Sequence, residues 1–309
     1  MTYYFAPLEG LTDSIYRRVH HAHFPGCVDC YFMPFLSPTV HRTLTPREER
    51  ELPMADSVPF TAVPQLLTKV AEDFLWAAQQ CEQRGYRQVN LNLGCPSGTV
   101  TAKGKGSGML RDPDGLDRFL EGIFAQTPLP ISVKTRLGFT DPGEFPRLLE
   151  ILNQYPITEL TVHPRVRSAF YSGGVDLEMF AYALENSRAS VCYNGDITSI
   201  EQLRALEARF PKISAVMLGR GLIGDPGMLL PEGTTVQALE AFMEALLQGY
   251  IEAFGTPRNA MFRLKENWRQ LLPRFAGSEK LGKQLLKTTD LGEYKAITAQ
   301  ILHTLPLST

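Results

Sequence analysis

No stretch of this chain approaches the roughly 18 uninterrupted apolar residues of a membrane-spanning helix, which excludes that class of membrane protein. Cysteine is scarce and odd in number. The five thiols, at 27, 30, 81, 95 and 192, lack the even, regular spacing of a disulfide framework. Cys27-Val28-Asp29-Cys30 has the CxxC form, but no second ligand pair and no thioredoxin-like context accompanies it. The pair therefore reads as reduced structural thiols, and no metal is expected. The chain enters a strand-like Tyr3-Tyr4-Phe5-Ala6 without a basic, cleavable leader, so a cytoplasmic protein is expected. Internal repeats and low-complexity tracts are also missing.

A strong excess of one charge is absent too. Lys and Arg number 31, Asp and Glu 33, for a net charge of −2. Hydrophobic residues make up 44% and charged residues 21%, an ordinary globular composition. The charge is nevertheless uneven. From Gly255 onward nine basic residues face four acidic ones, a balance of +5 that leaves −7 for the rest. Such an asymmetry points to a localised basic footprint or to a solvated helical face.

What is present is an alternation. Strand-like runs at Tyr3–Pro7, Val28–Met33, Phe60–Gln65, Gln88–Leu93, Ile131–Thr135, Glu159–His163, Ser190–Asn194 and Ala215–Leu218 are interleaved with helical patterns. The clearest helices are expected at Val70–Arg84, Gly115–Ala125, Phe145–Gln154 and Ile200–Phe210, and Ser37–Val58 reads as a loop excursion. Eight parallel strands with intervening helices specify a (β/α)8 TIM barrel of class α/β, expected over residues 1–233. Asp225-Pro226-Gly227 and Pro231-Glu232-Gly233 punctuate its end. Val236, Leu239, Phe242, Met243, Leu246 and Tyr250 then recur at amphipathic spacing. Further helices are expected at Asn259–Leu272, Glu279–Thr288 and Glu293–His303, giving a small all-α helical bundle over residues 234–309.

The chemistry of such barrels lies at the C-terminal ends of the strands. Read there, the chain offers Pro7-Leu8-Glu9-Gly10, then Gln65, then Asn92-Leu93-Gly94-Cys95-Pro96-Ser97. Lys134-Thr135-Arg136, His163-Pro164-Arg165, Asn194-Gly195-Asp196 and Gly219-Arg220-Gly221 follow. Each has a plain alternative: a buried Cys is usually a small hydrophobe, a lone His a core residue, an Asn-Gly a turn. Their concentration on one rim favours chemistry. An amide can read hydrogen-bonding edges, and a thiol can deliver a proton. Gly-rich loops after the last strands can bind phosphate through backbone N–H groups.

The N-L-G-C-P-S run and the opening Ala6-Pro7-Leu8-Glu9-Gly10 resemble the tRNA-dihydrouridine synthases, and the resemblance extends over essentially the whole chain. It implies reduction of the C5–C6 double bond of a D-loop uridine in tRNA to 5,6-dihydrouridine. FMN would be the cofactor, NADPH or NADH the reductant, and Cys95 the proton donor to C5. By the same resemblance Pro7, Leu8, Glu9, Gln65, Lys134 and His163 contact the flavin, and Asn194, Gly195, Asp196, Gly219 and Arg220 hold its phosphate. Asn92, Arg136 and Arg165 are expected at the substrate. Lys103 and Lys105, and Lys280, Lys283 and Lys287 on one helix face, are expected at the tRNA, with Arg258, Lys265 and Arg269 as a second such face. Leu8 replaces the family's usual Met, Pro164 and Val166 replace Gly and Thr in its H-G-R-T element, and Gly98 stands where Lys is frequent. A monomer is expected. The alternatives are a flavin-dependent barrel acting on a free small molecule, of the dihydroorotate dehydrogenase or enoate reductase kind, and a non-catalytic RNA-binding protein.

Overall fold

The computed structural model describes residues 1–308, which fall into two compact units. The first comprises residues 1–7, 29–195 and 206–218, and the second residues 8–28, 196–205 and, among the described residues, 219–308.

The first unit contains every strand: β1 (Thr2–Phe5), β2 (Cys30–Phe32), β3 (Ala62–Val63), β4 (Gln65–Leu66), β5 (Val89–Leu93), β6 (Ile131–Arg136), β7 (Glu159–His163), β8 (Ser190–Tyr193) and β9 (Ala215–Leu218). All pairings are parallel, in the order β3-β2-β1-β9-β8-β7-β6-β5-β4. The two end pieces of that order are one strand interrupted at Pro64, which has no N–H to donate to a ladder. Its carbonyl still accepts from Asn90 N at 2.8 Å. With β3 on β2 and β4 on β5, the sheet closes into an eight-stranded TIM barrel.

Helices occupy Ala71–Gln83, Pro113–Phe124, Phe145–Leu152 and Ile200–Arg209, close to the expected bounds. The Ser37–Val58 region is not all loop. A helix runs over Pro46–Glu51, started by a capping box in which Thr45 Oγ1 accepts from Glu48 N at 3.2 Å and Thr45 N donates to Glu48 Oε2 at 2.9 Å. The Thr45-Pro46-Arg47-Glu48 sequence carries that signal.

Alternation along the strands sorts the side chains. Val89, Leu91, Val133, Val162 and Val216 pack outward beneath the helices, while their alternate neighbours enter the barrel. The interior is divided. Ala6, Cys30, Phe32, Val63, Cys192, Ala215 and Met217, with Tyr4, form an apolar cluster on the β1, β2, β8 and β9 side. Gln65, Asn90, Asn92, Ser132, Thr161 and His163, on β4 to β7, are buried and polar.

The second unit is helical, with Ser14–His23, Val236–Phe254, Pro257–Leu271, Glu279–Lys287 and Leu291–Thr304. Its aromatic core sets Tyr16, His20 and Phe24 around Phe242 with ring centroids 5.3–6.2 Å apart. Burial pushes the His20 imidazole down to about 3, and His20 Nε2 meets the Pro226 carbonyl at 2.9 Å. Lys265 departs from the expected basic face. It is buried, and its ammonium donates to the Thr288 carbonyl and lies 4.7 Å from the Phe262 ring centroid.

Asp13 joins three helices of this unit. It caps Ser14–His23 by accepting from Tyr16 N at 3.0 Å, and it accepts from Tyr250 Oη at 3.1 Å and Arg263 Nη2 at 2.7 Å. Losing the cap costs about 1 kcal/mol, and stranding a partly buried guanidinium costs more. Asp13→Ala is expected to lower stability by about 3 kcal/mol in urea unfolding. Asp13→Asn, which retains the cap, should lower it by less; equal losses would contradict this account of the hub.

Candidate active site

The barrel mouth is assembled by a chain of amides. Asn90 Nδ2 donates to Ser132 Oγ at 2.9 Å, Gln65 Nε2 to Asn90 Oδ1 at 2.7 Å, and Asn92 Nδ2 to Gln65 Oε1 at 2.7 Å. Asn92 Oδ1 then accepts the backbone N–H groups of Gly94, at 3.0 Å, and Cys95, at 2.9 Å. The turn after β5 is thereby fixed from inside the barrel. Asn92 commits its acceptor and one donor in doing so, which leaves one N–H of the amide for a ligand.

Cys95 is half-buried, whereas Cys27, Cys30, Cys81 and Cys192 are buried. Burial pushes the Cys27, Cys30 and Cys81 thiols up to about 12. The Cys95 carbonyl accepts from Ser107 Oγ at 2.7 Å. Gly106 sits so close that an added Cβ would lie 3.0 Å from Cys95 Cβ, in a left-handed conformation (φ 58°) that glycine tolerates best. The 98–111 segment thus lies directly on the cysteine. It carries exposed Lys103, and Lys105, whose Nζ donates to Ser37 Oγ at 3.1 Å.

Lys134 is in register with Asn92 on the adjacent strand. Burial, reinforced by the Arg136 charge, pushes its ammonium down to about 8, and Cys95 and Cys192 are the other groups acting on it. Arg136 is buried, donating from Nε to the Gly94 carbonyl at 2.9 Å and from Nη1 to the Val166 carbonyl at 3.0 Å. His163 is in register with Arg136, and its Nε2 lies 3.2 Å from Arg165 Nη1. Because a guanidinium only donates, that ring nitrogen is the acceptor in this contact. Arg165 Nη2 also donates to the Gly173 carbonyl at 2.5 Å.

The structure therefore brings together Gln65, Asn92, Cys95, Lys134, Arg136, His163 and Arg165 on one rim. Asn194 Nδ2 donates to the Met217 carbonyl at 2.8 Å in the same unit, and Gly195 follows it. Pro7 belongs to this unit as well. Leu8, Glu9, Asp196, Gly219 and Arg220 belong to the second unit. There Arg220 Nη2 pairs with Asp196 Oδ1 at 2.7 Å, both partly exposed, so a carboxylate already faces that guanidinium. Lys280, Lys283 and Lys287 are exposed on their helix.

Two features escaped the sequence reading. Arg167 reaches the cysteine loop, with Nε 3.2 Å from the Pro96 carbonyl and Nη2 3.3 Å from Thr101 Oγ1. Tyr171 lies beneath the Arg136 guanidinium, 5.5 Å from centroid to Cζ, and 6.1 Å from the His163 ring. Among the described residues no group of three or more His, Cys, Asp or Glu could hold a metal ion, and no helix is long and apolar enough to cross a membrane.

An eight-stranded parallel barrel with a thiol and a cation at its polar rim defines the class, a TIM-barrel enzyme. Comparison with known proteins specifies it further. The family model described as dihydrouridine synthase (Dus) matches residues 4–270. The chain belongs to the dihydrouridine synthase family. It is 28% identical over 226 residues to tRNA-dihydrouridine synthase B of Pasteurella multocida, covering 72% of this chain and 66% of that protein. It is 27% identical over 322 residues to a probable tRNA-dihydrouridine synthase 1 of Synechocystis sp., covering 98% and 86%. Among solved structures, morphinone reductase superposes with a TM-score of 0.52 at 11% identity, covering 74% of this chain and 84% of that one. Histamine dehydrogenase from Rhizobium sp. 4-9 gives 0.54 at 13% identity, covering 87% and 48%. These two likenesses show the barrel fold.

The depressed Lys134 value makes a prediction for the ligand-free protein. Between about 8 and the ordinary lysine value of 10.5, the unfolded chain holds a proton that the folded chain releases, so stability rises with pH across that window. Lys134→Met removes the desolvated charge. Its gain in urea-unfolding stability is expected to be larger near pH 7 than near pH 10; equal gains would contradict the desolvated ammonium.

Proposed function

We propose that this protein reduces the C5–C6 double bond of a uridine in tRNA, with FMN as cofactor and NADPH or NADH as reductant. The observation that carries the reading is the placement of Cys95. It is the half-buried thiol of the five, its backbone is held by Asn92, and it lies within electrostatic reach of Lys134 and Arg136.

The rim suits an electron-rich planar ligand. No carboxylate is among the groups acting on Lys134, and Gln65 and His163 offer hydrogen-bonding edges beside it. We assign Lys134, Gln65 and His163 to the flavin. When bound, the flavin supplies the hydride for C6.

The remaining work belongs to the chain. Cys95 Sγ holds the proton that goes to C5, so that one hydride and one proton add across the double bond. The sulfur is left as a thiolate, and the cations of Lys134 and Arg136 stabilise that charge until solvent returns a proton. Arg136, fixed by two carbonyls and by Tyr171, contributes without reorganising, as electrostatic preorganisation requires. The free N–H of Asn92 faces the base. A uridine stacked within folded RNA must turn out to reach this rim.

Removing a positioned general acid typically costs about 10²–10⁴ in rate. Cys95→Ala is expected to keep its flavin and its NADPH oxidation but to lose dihydrouridine formation by that factor in single turnover. A wild-type rate of tRNA modification would return Cys95 to a packing role.

The exposed Lys280, Lys283 and Lys287 are assigned to the RNA backbone. Each lost phosphate contact lowers the salt slope of binding by about 0.7–0.9. Reversing all three to Glu should weaken tRNA binding and flatten its salt dependence, with NADPH oxidation in the absence of RNA unchanged. Unaltered binding across a salt titration would make this face merely solvated.

A further inference from the structure

The segment between β7 and the next helix, Leu177–Asn186, carries two adjacent exposed aromatic residues, Phe170 and Tyr171. Their backbone is unusual. Ser172 N donates to the Ala169 carbonyl at 2.8 Å, closing a four-residue turn. Phe170, at its first corner, has φ 49° and ψ −101°. That is the corner of a type II′ turn, which glycine occupies without strain and a side chain does not. Strain of this kind persists at a non-glycine residue where its side chain has a function.

The ring is braced from one side. The Arg167 guanidinium lies 4.9 Å from the Phe170 centroid and 5.1 Å from that of Phe139, and the Arg111 guanidinium lies 4.1 Å from Phe139. Phe170, Arg167, Phe139 and Arg111 form an alternating stack of rings and cations. Arg167 binds the Pro96 carbonyl, and Arg111 Nη2 donates to the Thr101 carbonyl at 3.0 Å. The stack is therefore clamped to Pro96 and Thr101, in the stretch that follows Cys95. Phe170 remains 43% exposed despite the guanidinium against it. Packing does not account for a large ring held open in this way.

We propose that Phe170 is a stacking platform for a nucleobase flanking the one that enters the barrel. This rests on the tRNA reading above. Base–aromatic stacking tolerates any base, because every base has a π-face. A ring backed by a guanidinium offers such a face beside cations that attract the RNA backbone. The strain at the turn is retained because glycine would provide no ring.

The test uses the opposite signs of two effects. Phe170→Gly should make the protein more stable in urea unfolding, by relieving the turn. It should also weaken equilibrium binding of unmodified tRNA by about tenfold, the scale of one lost stack. The salt slope of binding should not change, because no phosphate contact is removed. Phe170→Trp should retain wild-type affinity. Overturning outcomes are a Phe170→Gly protein that binds tRNA as the wild type does, or one whose loss of affinity comes with a reduced salt slope. Wild-type protein that binds tRNA yet forms no dihydrouridine would instead defeat the assigned reaction and leave the stacking measurement standing on its own.

Discussion

The site depends on the carboxamide of Asn92. One end of this side chain is held by Gln65, itself linked through Asn90 to Ser132 on the neighbouring strand; the other holds the N–H groups of Gly94 and Cys95. A buried polar chain of this kind is costly if broken and rigid if complete, because each unpaired amide inside the barrel would forfeit its solvation. Here the links are complete from β6 through β4 and β5 to the cysteine turn. The barrel thus positions the thiol from within, through hydrogen bonds between strands, while the segment around Gly106 and Ser107 closes on it from outside.

Charge follows the same division of the interior. On the polar side, Lys134, Arg136 and Arg165 approach one another, and burial together with mutual repulsion depresses Lys134. Arg136 is held by two carbonyls and by the face of Tyr171, and Arg165 by the Gly173 carbonyl and the edge of His163. The carboxylate inside the barrel, Glu159, lies at the start of β7 with Tyr4 and Ser214 donating to it. Burial raises its value, and it is spent on those hydroxyls. The positive charge gathered at this end of the barrel favours an electron-rich ligand and any negative charge that develops during reaction.

Much of this was legible in the sequence, for a physical reason. Strands and their ends are marked by β-branched runs that stop at Gly, Pro or a polar residue, so the rim could be read as Gln65, Asn92, Cys95, Lys134 and His163. What was hidden is where polarity turns inward. The helix Ser14–His23 buries Tyr16, Arg17 and His20, so the face it buries is not marked by apolar residues. Lys265 matched the spacing of a basic face but spends its ammonium on the Thr288 carbonyl. Pro64 split a strand whose closure only the pairing reveals. The stack of Arg111, Phe139, Arg167 and Phe170 draws on three separate loops, and no local pattern announces it.

The most direct measurement is mass analysis of unmodified tRNA incubated with the purified protein, FMN and NADPH. The account predicts a gain of two hydrogens at a single uridine, dependent on NADPH and absent when free uridine replaces tRNA. Oxidation of NADPH with no change in the mass of any uridine would contradict it.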